Sequence, residues 1–168
     1  MANRSSIFFA TCFLVGFCGK APGTVGSLLG AIAYPFTFGR LGWAAFVPSY
    51  SAAVLCAVWI CGKAEDCMGE RDPPQVILDE FVAMPLCYWP LEHFFAQIPM
   101  ARWLFLLIGF ALFRFFDICK PLAISKLQSL RGGLGIVLDD LAAAIATAFA
   151  MAVSFAVSIS LGLVKQLP

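Results

Sequence analysis

The chain has 168 residues, 61% hydrophobic and 12% charged, with a mean hydropathy of +0.90 and a formal net charge of +1. An ordinary soluble domain is about 45–50% apolar and about 25% charged, so a water-soluble globular surface is excluded. Near-neutrality gives no general attraction to nucleic acid, and the length suits one domain over residues 1–168.

The first apolar run, Ile7 to Cys18, has the form of a signal-peptide core, but Lys20 and a glycine-rich motif follow it in place of a small-x-small cleavage site. The segment is therefore expected to be retained. The second run is Val25 to Phe38. The third is Leu41 to Cys61, broken by Pro48, and the fourth is Val76 to Leu91, with Asp79 and Glu80 near its start. The fifth is Ile98 to Cys119, and the sixth, Leu141 to Val164, is uncharged. A transmembrane helix needs roughly 20 apolar residues, so the third, fifth and sixth qualify, while the second and fourth predict tilted, re-entrant or interfacial pieces.

Seven alternating alanines from Ala142 to Ala152 favour helix in the sixth run, and Gly26 and Gly30 form a GxxxG pair suited to close helix packing. Helices also satisfy their own backbone in lipid, so the expected class is all-α: a compact multi-helix integral membrane bundle. The seven cysteines include no CxxC pair, and His93 is the single histidine, so neither a disulfide framework nor a zinc site is expected. Cys12, Cys56, Cys61 and Cys87 lie in apolar runs and read as small buried hydrophobes.

Three polar islands interrupt the runs: Lys20 to Ser27, Lys63 to Glu80 and Arg114 to Asp140. Two runs separate each island from the next, so an even number of crossings returns all three to one aqueous side. Lys20, Lys63, Arg71, Arg114, Lys120, Lys126 and Arg131 lie in these islands, while Arg40, Arg102 and Lys165 fall opposite. The positive-inside tendency makes the island side cytoplasmic.

Acids at membrane depth are costly and mark function. Asp79-Glu80 and Asp139-Asp140 each abut a long apolar run, and Asp117 adds a fifth carboxylate. Gathering Asp79 and Asp139 creates like-charge repulsion unless a cation sits between them, and hard oxygen ligands suit Mg2+. The competing structural reading makes Asp139 and Asp140 N-cap and first-turn residues of the last helix. Asp72-Pro73-Pro74 reads as a helix start with Asp72 as N-cap; two turns from Asp79 it would share a face with it, and a structural role is favoured over that of a metal ligand. Gly23, Thr24, Gly26 and Ser27 lie in a glycine-rich turn entering a helix, where free N–H groups and hydroxyls suit a phosphate; tight packing explains the glycines equally well. Arg114, Asp117 and Lys120 recur at three-residue spacing on one helical face ended by Pro121. That face suits a phosphomonoester, or an intrahelical Arg114–Asp117 pair with Lys120 at the headgroups. Gly132-Gly133-Leu134-Gly135 reads as a turn before Asp139.

Four blocks occur in order: Lys-Ala-Pro-Gly-Thr-Val-Gly-Ser (20–27), Asp-Pro-Pro-Gln-Val-Ile-Leu-Asp-Glu-Phe-Val (72–82), Phe-Arg-Phe-Phe-Asp-Ile-Cys-Lys-Pro (113–121) and Gly-Gly-Leu-Gly-Ile-Val-Leu-Asp-Asp-Leu-Ala (132–142). Together they resemble the phosphatidylglycerophosphatase A family of bacterial membrane enzymes, with Ala83 and Ala123 standing where that family usually has glycine and often has proline. The resemblance implies an all-helical, Mg2+-dependent phosphatase of the bacterial inner membrane, acting on a phospholipid substrate: it removes the terminal phosphate of phosphatidylglycerophosphate to leave phosphatidylglycerol. The chain lacks a cysteine nucleophile with arginine six residues on, a DxDx[TV] motif and multiple histidines, which leaves water activated by magnesium and carboxylates. On that reading Asp79 and Asp139, with Glu80 or Asp140, hold the metal, and another carboxylate of those pairs orients or deprotonates water. Arg114, Lys120 and the 23–27 turn hold the phosphate, and Asp117 orients Arg114 or joins the metal's surroundings. The alternative is a small membrane transporter or magnesium-binding structural membrane protein.

Overall fold

The computed structural model describes residues 2–95, 99–119, 130 and 132–161. Among them are α1 (Ala2–Ala10), α2 (Pro22–Ala33), α3 (Trp43–Met68), α4 (Leu78–Tyr88), α5 (Glu92–Phe95), α6 (Pro99–Cys119) and α7 (Gly133–Ser160), with short 3-10 turns between α1 and α2, α2 and α3, and α4 and α5, and no strand. The all-α bundle expected from the sequence is what the chain forms.

Among the described residues two helices, α3 with 26 residues and α7 with 28, are long and apolar enough to cross a membrane; α6, formed by the fifth run, is not one of them, contrary to the expectation from its length. At 1.5 Å per residue α3 and α7 reach about 39 and 42 Å. Their most apolar windows are only 17% and 22% buried inside the protein, unlike the core helix of a soluble fold. Trp43, Leu55 and Trp59 on α3 and Ile145 and Phe149 on α7 face outward, a surface for lipid rather than water. The protein is a membrane protein.

The second and fourth apolar runs give half-length helices. α2 has 12 residues and α4 has 11, about 18 and 17 Å. α4 is the hub, packing on α2, α3, α6 and α7, with Ala83, Met84, Cys87 and Tyr88 fully buried. Tyr50 and Tyr88 donate their hydroxyls to the carbonyls of Val82 (3.1 Å) and Leu106 (2.9 Å), so each buried phenol ties α4 to a neighbour. Pro85 has no N–H for the carbonyl of Phe81 four residues earlier, and that oxygen faces Gly30 instead. A Cβ on Gly30 would lie 2.7 Å from it; one on Gly26 would lie 2.8 Å from the Ile77 Cβ. The GxxxG pair thus lets α2 lie against α4. Gly133 does the same for α7 against α3, since its Cβ would fall 1.8 Å from the carbonyl oxygen of Val58.

Three local expectations are corrected. The helix carrying Asp79 begins at Leu78, not at Asp72. Asp72 has a left-handed φ of 49°, the residue before a proline is pushed out of the helical region, and Pro73 closes a turn by accepting the N–H of Val76 at 2.9 Å. Asp139 and Asp140 are not capping residues, because α7 starts at Gly133 after Gly132 at φ 72°; they lie in its second turn, both buried. Cys56 faces outward on α3, whereas Cys12, Cys61 and Cys87 are buried as expected and all seven thiols are free.

The N-terminal run does not form one long helix. After α1, Cys12, Phe13 and Leu14 all take left-handed φ (45°, 62°, 71°) and reverse the chain. Ala10 and Thr11 are fully buried, and the Ala10 carbonyl accepts the N–H of Ile77 at 2.9 Å. Burial pushes the Cys12 thiol up to about 12, which keeps it protonated and inert.

Candidate active site

The N-termini of α2, α4 and α7 and the C-terminal end of α6 meet at one end of the bundle around a cavity of about 450 Å³. Gly23 and Thr24, Asp72, Asp79 and Glu80, Arg114 and Asp117, and Asp139 and Asp140 all line it. One residue or more from each polar island is present, so the three islands converge at one end as expected, although α2 and α4 are too short to be the full crossings counted for it.

Each wall follows from local sequence. Pro22 occupies the first turn of α2, and Val25 is the first to bond back, its N–H reaching the Ala21 carbonyl at 3.3 Å. The N–H groups of Gly23 and Thr24 therefore have no intrahelical acceptor. Asp79 and Glu80 sit in the first turn of α4, where the helix dipole favours negative charge. Gly23 allows the Glu80 carboxylate to approach: a Cβ there would lie 2.1 Å from Glu80 Oε1.

Arg114 is the one basic side chain among the described residues lining the cavity. Its Nη1 donates to Glu80 Oε1 at 3.0 Å and to Ser27 Oγ at 3.2 Å and pairs with Asp117 Oδ2 at 2.9 Å. The intrahelical pair with Asp117 and a cross-helix pair with Glu80 thus coexist. Ser27 is fully buried, donates to the Gly23 carbonyl at 2.7 Å, and sits with Gly26 one turn behind the cavity. Of the candidate turn, Gly23 and Thr24 line the cavity, while Gly26 and Ser27 support it. Lys120 lies outside the described residues. Sequence reasoning missed the Glu80–Arg114 pair and favoured a capping role for Asp72 over a metal-ligand role, although Asp72 lines the cavity. Its position in the 72–82 block beside Asp79 was the available signal.

Six carboxylates face one arginine here, and Asp79, Asp117, Asp139 and Asp140 are buried. Burial, reinforced by the charge of Glu80, holds the Asp79 carboxyl well above the usual range. Burial also pushes Glu80 up to about 7, outweighing the opposing pull of Arg114. Asp79 Oδ1, Glu80 Oε2 and Asp140 Oδ2 are buried without a hydrogen-bond donor, while Asp139 Oδ1 accepts the N–H of Asp140 at 3.1 Å. Orphaned carboxylate oxygens in a negatively charged cavity are what a hard cation would satisfy. Among the described residues no three Asp, Glu, His or Cys side chains form a ready-made cage. Magnesium does not need one, since it commonly takes one or two carboxylates together with waters and substrate phosphate.

Comparisons with known proteins identify the family. The chain is 37% identical over 137 residues to the phosphatidylglycerophosphatase A of Haemophilus influenzae, covering 81% of this chain and 80% of that one. It is 29% identical over 140 residues to the phosphatidylglycerophosphatase A of Escherichia coli, covering 83% and 77%. A Bacteroides thetaiotaomicron protein named "Putative phosphatidylinositol-3-phosphatase" is 36% identical over 146 residues, 83% of this chain and 86% of that one. No solved structure matches. The family profile described as Phosphatidylglycerophosphatase A matches residues 8–155, and on that span, with these relatives, the chain belongs to the phosphatidylglycerophosphatase A family.

Proposed function

We propose that the protein hydrolyses the terminal phosphate monoester of phosphatidylglycerophosphate, releasing phosphatidylglycerol and phosphate, at the cavity between α2, α4, α6 and α7. The observation that carries this is the meeting of six carboxylates, one arginine and free helix N-terminal N–H groups at one end of an otherwise apolar bundle. Phosphate needs the N–H groups and the arginine; a metal that neutralises phosphate needs the carboxylates.

Asp79 and Asp139, with Glu80 or Asp140, would hold Mg2+. When bound, the ion supplies positive charge at the phosphate oxygens and eases loss of a proton from water. The chain's residues do the rest. Arg114 offers its guanidinium to the non-bridging phosphate oxygens, and Asp117 and Glu80 keep it aimed. The N–H groups of Gly23 and Thr24 receive a further phosphate oxygen, with Lys120 adding charge from just beyond the last described residue of α6. A carboxylate of the two pairs accepts the proton of the attacking water. The water oxygen bonds to phosphorus, the bond from phosphorus to the glycerol oxygen breaks, and that oxygen takes a proton to leave as the lipid alcohol.

The basic residues Lys20, Lys63, Arg71 and Arg114 near this end support a cytoplasmic orientation in the inner membrane. A transport role is disfavoured because α7 beyond Asp140 carries only Thr147, Ser154, Ser158 and Ser160 as polar residues, with no polar path along it. A second substrate is favoured by the Bacteroides relative's name: a phosphoinositide monoester has the same phosphate on a different polyol. Phosphate release by purified protein from phosphatidylglycerophosphate and from phosphatidylinositol 3-phosphate, each with magnesium and with chelator, tests both. Release from neither lipid refutes the proposal, and release without magnesium refutes the metal.

A further inference from the structure

A shallow apolar groove of about 130 Å³ runs along the outside of the seam between α2 and α6. Leu28 and Ile32 form one wall, Trp103, Leu107 and Phe110 the other, and buried Ala31 is part of the floor. We propose that this groove is the acyl-chain subsite of the lipid substrate, and that the lipid enters from the bilayer through the α2/α6 seam. The inference rests on the lipid phosphatase reading above and says where the substrate's apolar part goes.

Continuity with the cavity carries the argument. Both helices that line the groove also line the cavity, through Gly23 and Thr24 on α2 and Arg114 and Asp117 on α6. Phe110 is one helical turn from Arg114, and Leu28 adjoins Ser27, which accepts a hydrogen bond from Arg114. The Arg114–Ser27 bond is thus the threshold between the polar chamber and the apolar slot. A phosphate at Arg114 leaves the attached glycerol beside Leu28 and Phe110, where an acyl chain continues along the groove. Polar headgroup binding and apolar chain binding then follow one line.

A second apolar groove lies between α3 and α7, lined by Val54, Leu55, Leu86 and Ile145. It is larger, and Leu86, Leu138 and Leu141 bring α4 and α7 to it beside Asp139 and Asp140, but none of its helices carries Arg114. A lipid lying there would approach the cavity from the side of the Asp139–Asp140 pair, away from the arginine that holds the phosphate.

Ile32 is 48% exposed and Leu55 is 69% exposed, so tryptophan at either position narrows its groove without entering the core. The test compares Ile32→Trp and Leu55→Trp on dioleoyl and dihexanoyl phosphatidylglycerophosphate. Ile32→Trp is expected to lose roughly ten-fold or more in kcat/KM on the long-chain lipid while keeping the short-chain rate, and Leu55→Trp is expected to change neither. Leu107→Trp, on the facing helix, makes the same measurement should Ile32→Trp lose its thermal transition. Independently of turnover, phosphatidic acid with a diazirine in one acyl chain should label α2 and α6, and Ile32→Trp should suppress the label. An unchanged long-to-short ratio in Ile32→Trp, or an α2/α6 label that Ile32→Trp leaves as strong relative to the lipid-facing α3 and α7, overturns the subsite. A wild-type protein that releases phosphate from neither chain length refutes the phosphatase reading instead, and the labelling pattern then decides the groove alone.

Discussion

Arg114 on α6 reaches across to Glu80 on α4, Nη1 to Oε1 at 3.0 Å, with both side chains largely buried. The contact ties the cavity's arginine to the carboxylate next to Asp79, so whatever moves one group moves the other.

Replacing Arg114 with lysine should therefore lower kcat/KM by roughly 10- to 100-fold, equivalent to losing a charge-assisted hydrogen bond of about 1.5–3 kcal/mol. Nη1 alone meets Glu80, Asp117 and Ser27, which leaves the rest of the guanidinium to complete a forked pair on phosphate that an ammonium cannot make. The magnesium concentration for half-maximal rate should shift little. Wild-type efficiency in Arg114→Lys would remove the phosphate role, and rescue by excess magnesium would make Arg114 a support for the metal instead.

Asp79→Asn and Asp139→Asn should each reduce turnover by more than about a hundred-fold, beyond the 10–100-fold typical of residues that only support a metal ligand. Both variants should stay folded in detergent. Metal-free Asp79→Asn should even melt higher than metal-free wild type at neutral pH, because asparagine spares the cost of burying a carboxyl that is held well above its usual range. Retained turnover in both variants with magnesium limiting would show that the metal is held elsewhere.

Metal-free protein should lose stability as pH rises from about 4.5 to about 7. Glu80 binds its proton more tightly folded than unfolded, so its contribution is fully present below the unfolded value and lost above about 7; Asp79 is shifted in the same direction. Protons and magnesium compete for these groups, so the rise in Tm on adding magnesium should be larger at pH 8 than at pH 5.5. Differential scanning fluorimetry in detergent reads both effects, and an equal magnesium shift at the two pH values would count against metal binding here.

Gly133→Ala should destabilise the fold by at least about 1–3 kcal/mol, the usual cost of overpacking, because the new Cβ would meet the Val58 carbonyl at 1.8 Å. Backbone on α3 cannot swing aside as a side chain does. Gly42→Ala, with nothing within 4 Å of its Cβ, is the control expected to melt like wild type.

The residue types of the site were legible because acids are rare in so apolar a chain and stand at the edges of its runs. The convergence of the islands was expected from counting crossings, although α2 and α4 are too short to be full ones, and the glycine pair at 26 and 30 announced a tight seam. Helix starts were not legible in the same way. Asp72-Pro73-Pro74 has the composition of a helix start, yet the packing of Ile77 beneath Ala10 holds the segment open until Leu78. Gly132 to Gly135 reads as a loop, yet contact with Val58 and Gly62 makes the glycines after Gly132 part of a helix. Both misreadings come from contacts far apart in sequence. The Arg114–Glu80 pair was hidden for that reason too, since its partners are 34 residues apart.

The cavity's walls run from Gly23 to Asp140, and two of its carboxylates arrive on α7, the last described helix to be made. Synthesis delivers the N-terminal elements first. On the proposed mechanism, a nascent chain halted after α6 has its arginine and Asp79 but neither Asp139 nor Asp140, and is expected to be inactive toward the lipids around it. The site is complete only once α7 has joined the bundle.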